Sequence, residues 1–271
     1  IKAADIAALM GAKGLPLRSQ VALVFDDREG LPLYDRNADR PRAIASLTKL
    51  MTAVVIMDSG LALDEDIEIT QADRDTLRGS RSRLRYGSVF TRQDLLLAAL
   101  GASDNRAASA LARTYPGGTP AFVAAMNAKA AALGMTKTRF ADASGLHRGN
   151  IATARDLVQL AQAVQTYPLL RALSTTQSFQ LEDRVSGRTV SFHNTNRFVR
   201  SGAWDIGLSK TGYTSDAGNC LVMQATIGTR PVTVVLLNSW GKLSKYGDAT
   251  RIRDWLLKSE QRIVRTQLTQ T

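Results

Sequence analysis

The stretch RAIASLTKLMTAVVIMD, residues 42–58, divides the chain. Strand-like sequence precedes it, and a long helical section follows. Its second half is apolar and reads as a buried helix, with Pro41 and the polar residues before it placing the start near Ala45 or Ser46. Within this apolar setting Ser46 and Lys49 stand at i and i+3, a spacing that puts both on one face of a helix. A serine at the leading end lies at the positive pole of the helix dipole. A free lysine is protonated at neutral pH and is no base. Apolar walls and neighbouring positive charge lower its pKa, and a neutral amine in that place activates a serine without histidine. The motif alone is weak. A helix-start serine with a snorkelling lysine gives the same residues, and the chain holds a second instance, SWGK at 239–242, at the end of an expected strand.

The sequence has 271 residues, enough for one large domain or two intimate lobes. No apolar run is long enough to span a membrane; VTVVLLN (232–238) reads as a buried strand. The chain begins at Ile1 without a charged-then-apolar leader, and we expect a processed form whose export signal has been removed. Cys220 is the single cysteine, so no internal disulfide forms, and its apolar neighbours mark a core thiol. The net charge of +11 suits a negatively charged partner, although a basic soluble surface accounts for it equally well. Nucleic acid is disfavoured, because aromatics are sparse and not interleaved with the basic residues.

QVALVFD (20–26) and PLYDR (32–36) read as strands around a turn containing Gly30. Four helical segments follow residue 58. One starts at Thr91 as N-cap, and one begins at DNRAAS and ends before Pro116. A third has Pro120 near its start and Gly134 as its stop, and the fourth runs from Thr153 to before Pro168. After residue 175 the pattern returns to strands: GLSKTGYT, GNCLVMQATIG and RPVTVVLLNSW. A last amphipathic helix carries Ile252, Trp255, Leu256 and Ile263. The order strands, helices, strands, helix predicts an α/β (α+β) fold. Its antiparallel sheet has about five strands drawn from both chain ends and is flanked by helices, with an inserted all-helical lobe. We expect a single catalytic domain over 1–271, with an α/β lobe (1–45 and 175–271) and a mostly helical lobe (46–174).

Two further motifs lie downstream. In SDN (103–105), a loop between helices can aim the Ser103 hydroxyl and the Asn105 amide into a cleft; the competing reading is a cap on the next helix. In KTG (210–212), Lys210 interrupts a strand. It is either an edge charge that blocks aggregation or a charge aimed at an anionic substrate, with Thr211 adding a hydroxyl and Gly212 allowing close approach to the backbone.

Ser-x-x-Lys, Ser-x-Asn and Lys-Thr-Gly, in this order on helix, loop and strand, form the signature of serine penicillin-interacting enzymes. From about residue 20 to 258 the sequence resembles the low-molecular-mass penicillin-binding proteins, serine D-Ala-D-Ala peptidases. It is most similar to the penicillin-binding protein 7 type of D-alanyl-D-alanine endopeptidase, through IASLTKLMTAVV, ATARDLVQLA, NTNRF and KTGYTSDAGNCLVM among others. Asp104 departs from the residue expected there, and its side chain is expected to point away from the cleft.

The resemblance implies a β-lactamase/transpeptidase-like fold and an acyl-enzyme hydrolase without cofactor or metal. It implies Ser46 as nucleophile, Lys49 as its base, Ser103 as a proton relay from Lys210, and Asn105 holding substrate and Lys49. Lys210, Thr211, Gly212 and Tyr213 would line the substrate strand, with the N–H groups of Ser46 and Tyr213 as oxyanion hole. The implied partners are peptidoglycan stem peptides and covalent β-lactam inhibitors, in the periplasm or cell envelope, with no nucleic acid and no integral membrane segment. Cleavage of cross-links and removal of a terminal D-Ala both remain open. The Arg cluster RGSRSRLR (78–85) either helps to hold an anionic wall polymer or is a solvated hairpin. The polar tail TQLTQT argues against a tight membrane anchor.

Other classes fit less well. A class A β-lactamase deacylates with a glutamate. None occurs between Glu68 and Glu182, which leaves only Asp142 as a remote substitute and predicts slow deacylation. A zinc peptidase or a histidine-based triad would have to use His147 or His193, which lie far apart and outside any matching motif; each is expected to be a structural or loop residue. A β-lactam sensor that acylates once would keep all three motifs.

Overall fold

The computed structural model describes residues 1–9 and 14–268. The chain opens with α1 (Ala3–Ala8), β1 (Ser19–Asp26), β2 (Leu31–Arg36) and the two-residue β3 (Arg42–Ala43). A 3-10 turn, Ala45–Leu47, leads into α2 (Thr48–Asp58). Next come β4 (Asp66–Glu68), β5 (Val89–Thr91), α3 (Arg92–Gly101), α4 (Asn105–Arg113) and α5 (Gly118–Ala132). They are followed by β6 (Ile151–Ala152), α6 (Ala154–Gln165), α7 (Pro168–Thr175), β7 (Ser178–Glu182), β8 (Thr189–His193) and α8 (Arg197–Ser201). The long strands β9 (Asp205–Thr214), β10 (Gly218–Ile227) and β11 (Arg230–Ser239) precede the last helix, α9 (Ser244–Leu268).

Five strands form one antiparallel sheet in the order β2-β1-β11-β10-β9, so the two chain ends meet at the β1–β11 pair. Both faces of this sheet are covered, which explains why its strands read as nearly continuous apolar runs. Val21, Leu23, Val222 and Val235 face the core shared with α2, α3 and α6. Their neighbours Ala22, Val24, Leu221 and Val234 face a second core with α1 and α9, where Ile252 and Leu256 are buried and Trp255 and Ile263 pack against them. β9 is left as an edge strand beside the helices.

Side-chain caps fix the helix starts that the sequence marks. Thr91 accepts from the Asp94 N–H at 3.1 Å, Asp104 from Ala107 at 3.0 Å and Thr153 from Asp156 at 3.0 Å.

Three expectations need correction. The helix containing Lys49 does not begin directly at Ser46: a 3-10 turn carries the serine, and the α-helix starts at Thr48. The return to strands after residue 175 is interrupted, since the short helix α8 stands between the β7–β8 hairpin and β9. The Arg cluster is solvent-exposed, as one of its two readings has it, but it forms no hairpin. It lies in the long connection between β4 and β5, where Arg78 donates to Leu146 O (2.7 Å) and Ser215 Oγ (3.0 Å) and pairs with Asp216, and Arg83 donates to Ser191 O (2.6 Å).

Candidate active site

The start of α2, the α3–α4 loop, the 142–146 loop and the edge strand β9 converge on one cleft. Two glycines allow this closeness. A Cβ on Gly145 would stand 2.0 Å from Ala45 O, and one on Gly212 would stand 2.9 Å from Ser46 N. Loop and strand therefore press backbone to backbone on the turn that carries Ser46. That turn is itself strained: Ala45 has φ +48°, and Ser103 in the facing loop has φ +58°. Neither residue favours this region, and such strain persists only where surrounding packing enforces it.

Lys49 is fully buried, and its Nζ has three neighbours: Ser46 Oγ at 2.9 Å, Asn105 Oδ1 at 2.6 Å and Ser144 O at 2.6 Å. The carbonyl and the amide oxygen only accept. A neutral amine has two N–H donors and one lone pair, so donating to those two leaves the lone pair facing the Ser46 hydroxyl. Burial pushes the Lys49 ammonium down to about 7, against the opposing pull of Asp142, Asp104 and Asp75. The sequence suggested that nearby positive charge would help at Lys49. Desolvation does the work there, and cation–cation repulsion acts instead on Lys210.

Lys210 is 1% exposed, with Nζ 2.8 Å from Ser103 Oγ and 2.9 Å from Thr211 O. Its pKa lies well below the usual lysine range, first through burial and then through the charges of Lys49 and Lys245. It stands on the edge strand, but its amine is turned inward, so it is no edge charge against aggregation. A circuit closes: Ser46 to Lys49, Lys49 to Asn105, the same loop through Ser103 to Lys210, and Gly212 back to the Ser46 backbone. Thr211 is buried beside it, and Tyr213 is exposed at the cleft.

Both readings of SDN hold. Asp104 caps α4 and accepts from Ser82 Oγ (2.7 Å), while its neighbours Ser103 and Asn105 turn to the amines. The Asn105 amide is held from behind by donating to Ser80 Oγ at 2.9 Å. The second Ser-x-x-Lys makes no dyad. Ser239 is buried against Ser19 Oγ at 2.6 Å, and Lys242 is exposed. Asp142 accepts from the N–H groups of Ser144, Gly145 and His147, the Ser144 hydroxyl and the Asn150 amide, so its carboxylate organises the loop. His147 accepts from the Gly149 N–H at 3.0 Å in that loop, and His193 ends β8. Cys220 is buried, and burial pushes its thiol up to about 11.

Several contributors were not visible in the sequence. The Ser144 carbonyl is backbone and has no residue signature. Thr195 shares a hydrogen bond with Thr211 (Oγ1–Oγ1, 2.8 Å). Lys245, 6% exposed, lies beside the Tyr246 ring (5.4 Å), and no carboxylate pairs with it among the described residues.

A family model described as D-alanyl-D-alanine carboxypeptidase (peptidase S11) matches residues 9–241. A D-alanyl-D-alanine endopeptidase of Pseudomonas aeruginosa is 49% identical over 247 residues, 90% of this chain and 80% of the relative. One of Escherichia coli is 42% identical over 253 residues, 93% of this chain and 82% of the relative. The crystal structure of the Streptomyces K15 DD-transpeptidase superposes with a TM-score of 0.83 at 29% identity, covering 89% of this chain and 98% of that one.

Proposed function

The chain belongs to the D-alanyl-D-alanine carboxypeptidase (S11) family of serine peptidases, and on that premise we propose how its cleft works. It is a serine-type D-Ala-D-Ala hydrolase of the penicillin-binding class. Its preferred bond is the D-Ala–diaminopimelate cross-link between peptidoglycan stem peptides, a reading supported by the two relatives named D-alanyl-D-alanine endopeptidase. In this reading one catalytic domain acts, with an α/β lobe (1–45 and 175–271) and a helical lobe (46–174), in the periplasm or cell envelope. Among the described residues no helix is long and apolar enough to cross a membrane.

The observation that carries the assignment is the buried Lys49 amine 2.9 Å from Ser46 Oγ, with its other two neighbours limited to accepting. Lys49 takes the hydroxyl proton as Ser46 Oγ attacks the D-Ala carbonyl. The N–H groups of Ser46 and Tyr213 hold the oxyanion; a donor of this kind is worth roughly a hundredfold or more in rate. Ser103, beside Lys210, passes a proton to the departing amine and is restored by the proton that Lys49 took from Ser46. The acyl group stays on Ser46 until water attacks it, gives its proton to Lys49, and Lys49 returns that proton to Ser46 Oγ. Asn105 fixes Lys49. Thr211 and Lys245 receive a substrate carboxylate, and the peptide lies along Gly212 and Tyr213 as an added strand on the free edge of β9. No glutamate is available to drive deacylation and Asp142 already accepts from five donors, so β-lactams form long-lived adducts.

Incubation with purified cross-linked muropeptide dimers is the test. Monomer products are expected. Release of a terminal D-Ala alone would make the protein a carboxypeptidase, and acylation without turnover would make it a sensor. Intact mass after penicillin treatment should rise by one drug molecule in the wild type and stay unchanged in Ser46→Ala; an unchanged yield of adduct in that variant would remove Ser46 from the mechanism.

A further inference from the structure

A groove of about 1490 Å³ begins at Thr211 and Tyr213 and runs between α8 and the start of α9; Ser46 is not among the residues that line it. Its floor is aromatic: Phe198 stacks on Trp204 (4.6 Å) and meets Tyr246 edge-on (5.2 Å). Five basic side chains line it, and no acidic one does. Three of the cations lie against the aromatic rings: Arg253 over Trp204 at 4.9 Å, and Arg197 and Lys245 near Tyr246 at 5.9 and 5.4 Å. A guanidinium held by its flat face keeps its N–H edge available for a carboxylate. Arg253 also has a loose contact with Asp254 at 3.4 Å, a residue outside the groove lining. Groove and cleft are coupled, since the Tyr246 hydroxyl donates to Thr195 O (3.1 Å) and Thr195 Oγ1 bonds Thr211 Oγ1.

We propose that this groove is the subsite for the leaving half of a cross-linked substrate, an acidic peptide that presents several carboxylates. The proposal rests on the endopeptidase reading above. Under that reading the Ser103–Lys210 pair delivers the proton to the departing amine, and the groove begins on that flank, at Thr211. A single departing D-alanine needs one cation and a small pocket. Arg197, Lys242 and Arg253, with the aromatic floor, extend well beyond such a pocket and match the carboxylates of a whole stem peptide. The groove thus makes cross-linked dimers better substrates than single terminal residues, through binding energy remote from the cut bond.

The test uses the full chain with Arg197→Glu, Lys242→Glu and Arg253→Glu combined. Three readouts are compared with wild type: kcat/KM on a purified cross-linked dimer, kcat/KM on a short acyl-D-Ala-D-Ala peptide, and the rate of penicillin acylation. Dimer cleavage should fall by about tenfold or more, the size expected from reversing three partly exposed charges, and should lose most of its salt dependence. The short peptide and penicillin should stay within about twofold of wild type, a separation that damage to the fold could not produce. Equal dimer rates in variant and wild type would overturn the subsite while leaving the endopeptidase reading intact. A parallel fall on all three substrates would also overturn it. A wild-type enzyme that cuts the short peptide but no dimer would overturn the endopeptidase reading itself.

Discussion

Two parts of the same fold bury cations, and they treat them in opposite ways. At one end of the sheet Arg230, 4% exposed, pairs with Asp26 and lies 3.1 Å from Glu29 and 3.4 Å from Glu260. In the cleft, every neighbour of the Lys49 and Lys210 amines within hydrogen-bonding distance among the described residues is uncharged: hydroxyl, amide or carbonyl oxygen. Carboxylates hold a buried cation charged and so lock structure. Neutral acceptors satisfy N–H groups without repaying desolvation, so the amine sheds its proton instead. Residue type follows the same division. A guanidinium cannot deprotonate at any working pH and suits the structural end, while an ammonium can and suits the cleft.

The largest expected effect follows from that contrast. Lys49→Met should slow acylation by a fluorescent penicillin by about a thousandfold or more, and Lys49→Arg should do no better, because the charge persists without a lone pair. An arginine variant near wild-type rate would show that the amine acts only as a charge. At the other end, Asp26→Ala removes the fully buried partner of Arg230 and leaves it only Glu29 and Glu260. It should cost about 3–5 kcal/mol in a denaturant titration, while the acylation rate of the folded protein stays put; a loss under 1 kcal/mol would mean that Glu29 and Glu260 suffice.

Acidity separates the two parts further. With Lys49 titrating near 7, acylation should fall about tenfold per pH unit below that value and level off above it. Stability should respond in step. The folded pKa of Lys49 lies below its unfolded value, so the cost of its buried charge is present in full below pH 7. It is relieved as pH rises and is gone above the unfolded pKa. Wild type should therefore gain on Lys49→Met by roughly 1.4 kcal/mol per pH unit between about 7 and 10. A flat difference across that range would place the titration elsewhere. The smallest effect is reserved for Thr195→Val, which removes the partner of the Thr211 hydroxyl. It should raise KM by about threefold with kcat nearly unchanged, as for loss of one hydrogen bond that orients a binding group.

Much of this division could be read before any coordinates. The strands near both ends and the capped helices follow from apolar runs and from Thr91, Asp104 and Thr153, because short-range capping and burial on both sheet faces act through residue type. The three motifs likewise mark their own side chains. What escaped had no such mark. Ala45 sits at positive φ in the turn on which Gly145 and Gly212 pack, and alanine does not advertise that conformation. The acceptor from Ser144 is a main-chain carbonyl that any residue could supply. Lys245 follows a second Ser-x-x-Lys that proved inert, and its position in the groove depends on where α9 packs on β10 and β11. Arg78 sits within a basic run that read as solvated, yet it links three loops through long-range contacts.

The most direct measurement is the titration of the Lys49 side chain itself, by NMR of protein carrying 13C at the lysine ε-carbon, with Lys49→Met to identify the signal. A midpoint near 7, several units below the ordinary lysine range, is the result expected of an amine held among neutral acceptors. A midpoint in the ordinary lysine range near 10 would contradict it and leave Ser46 without its base.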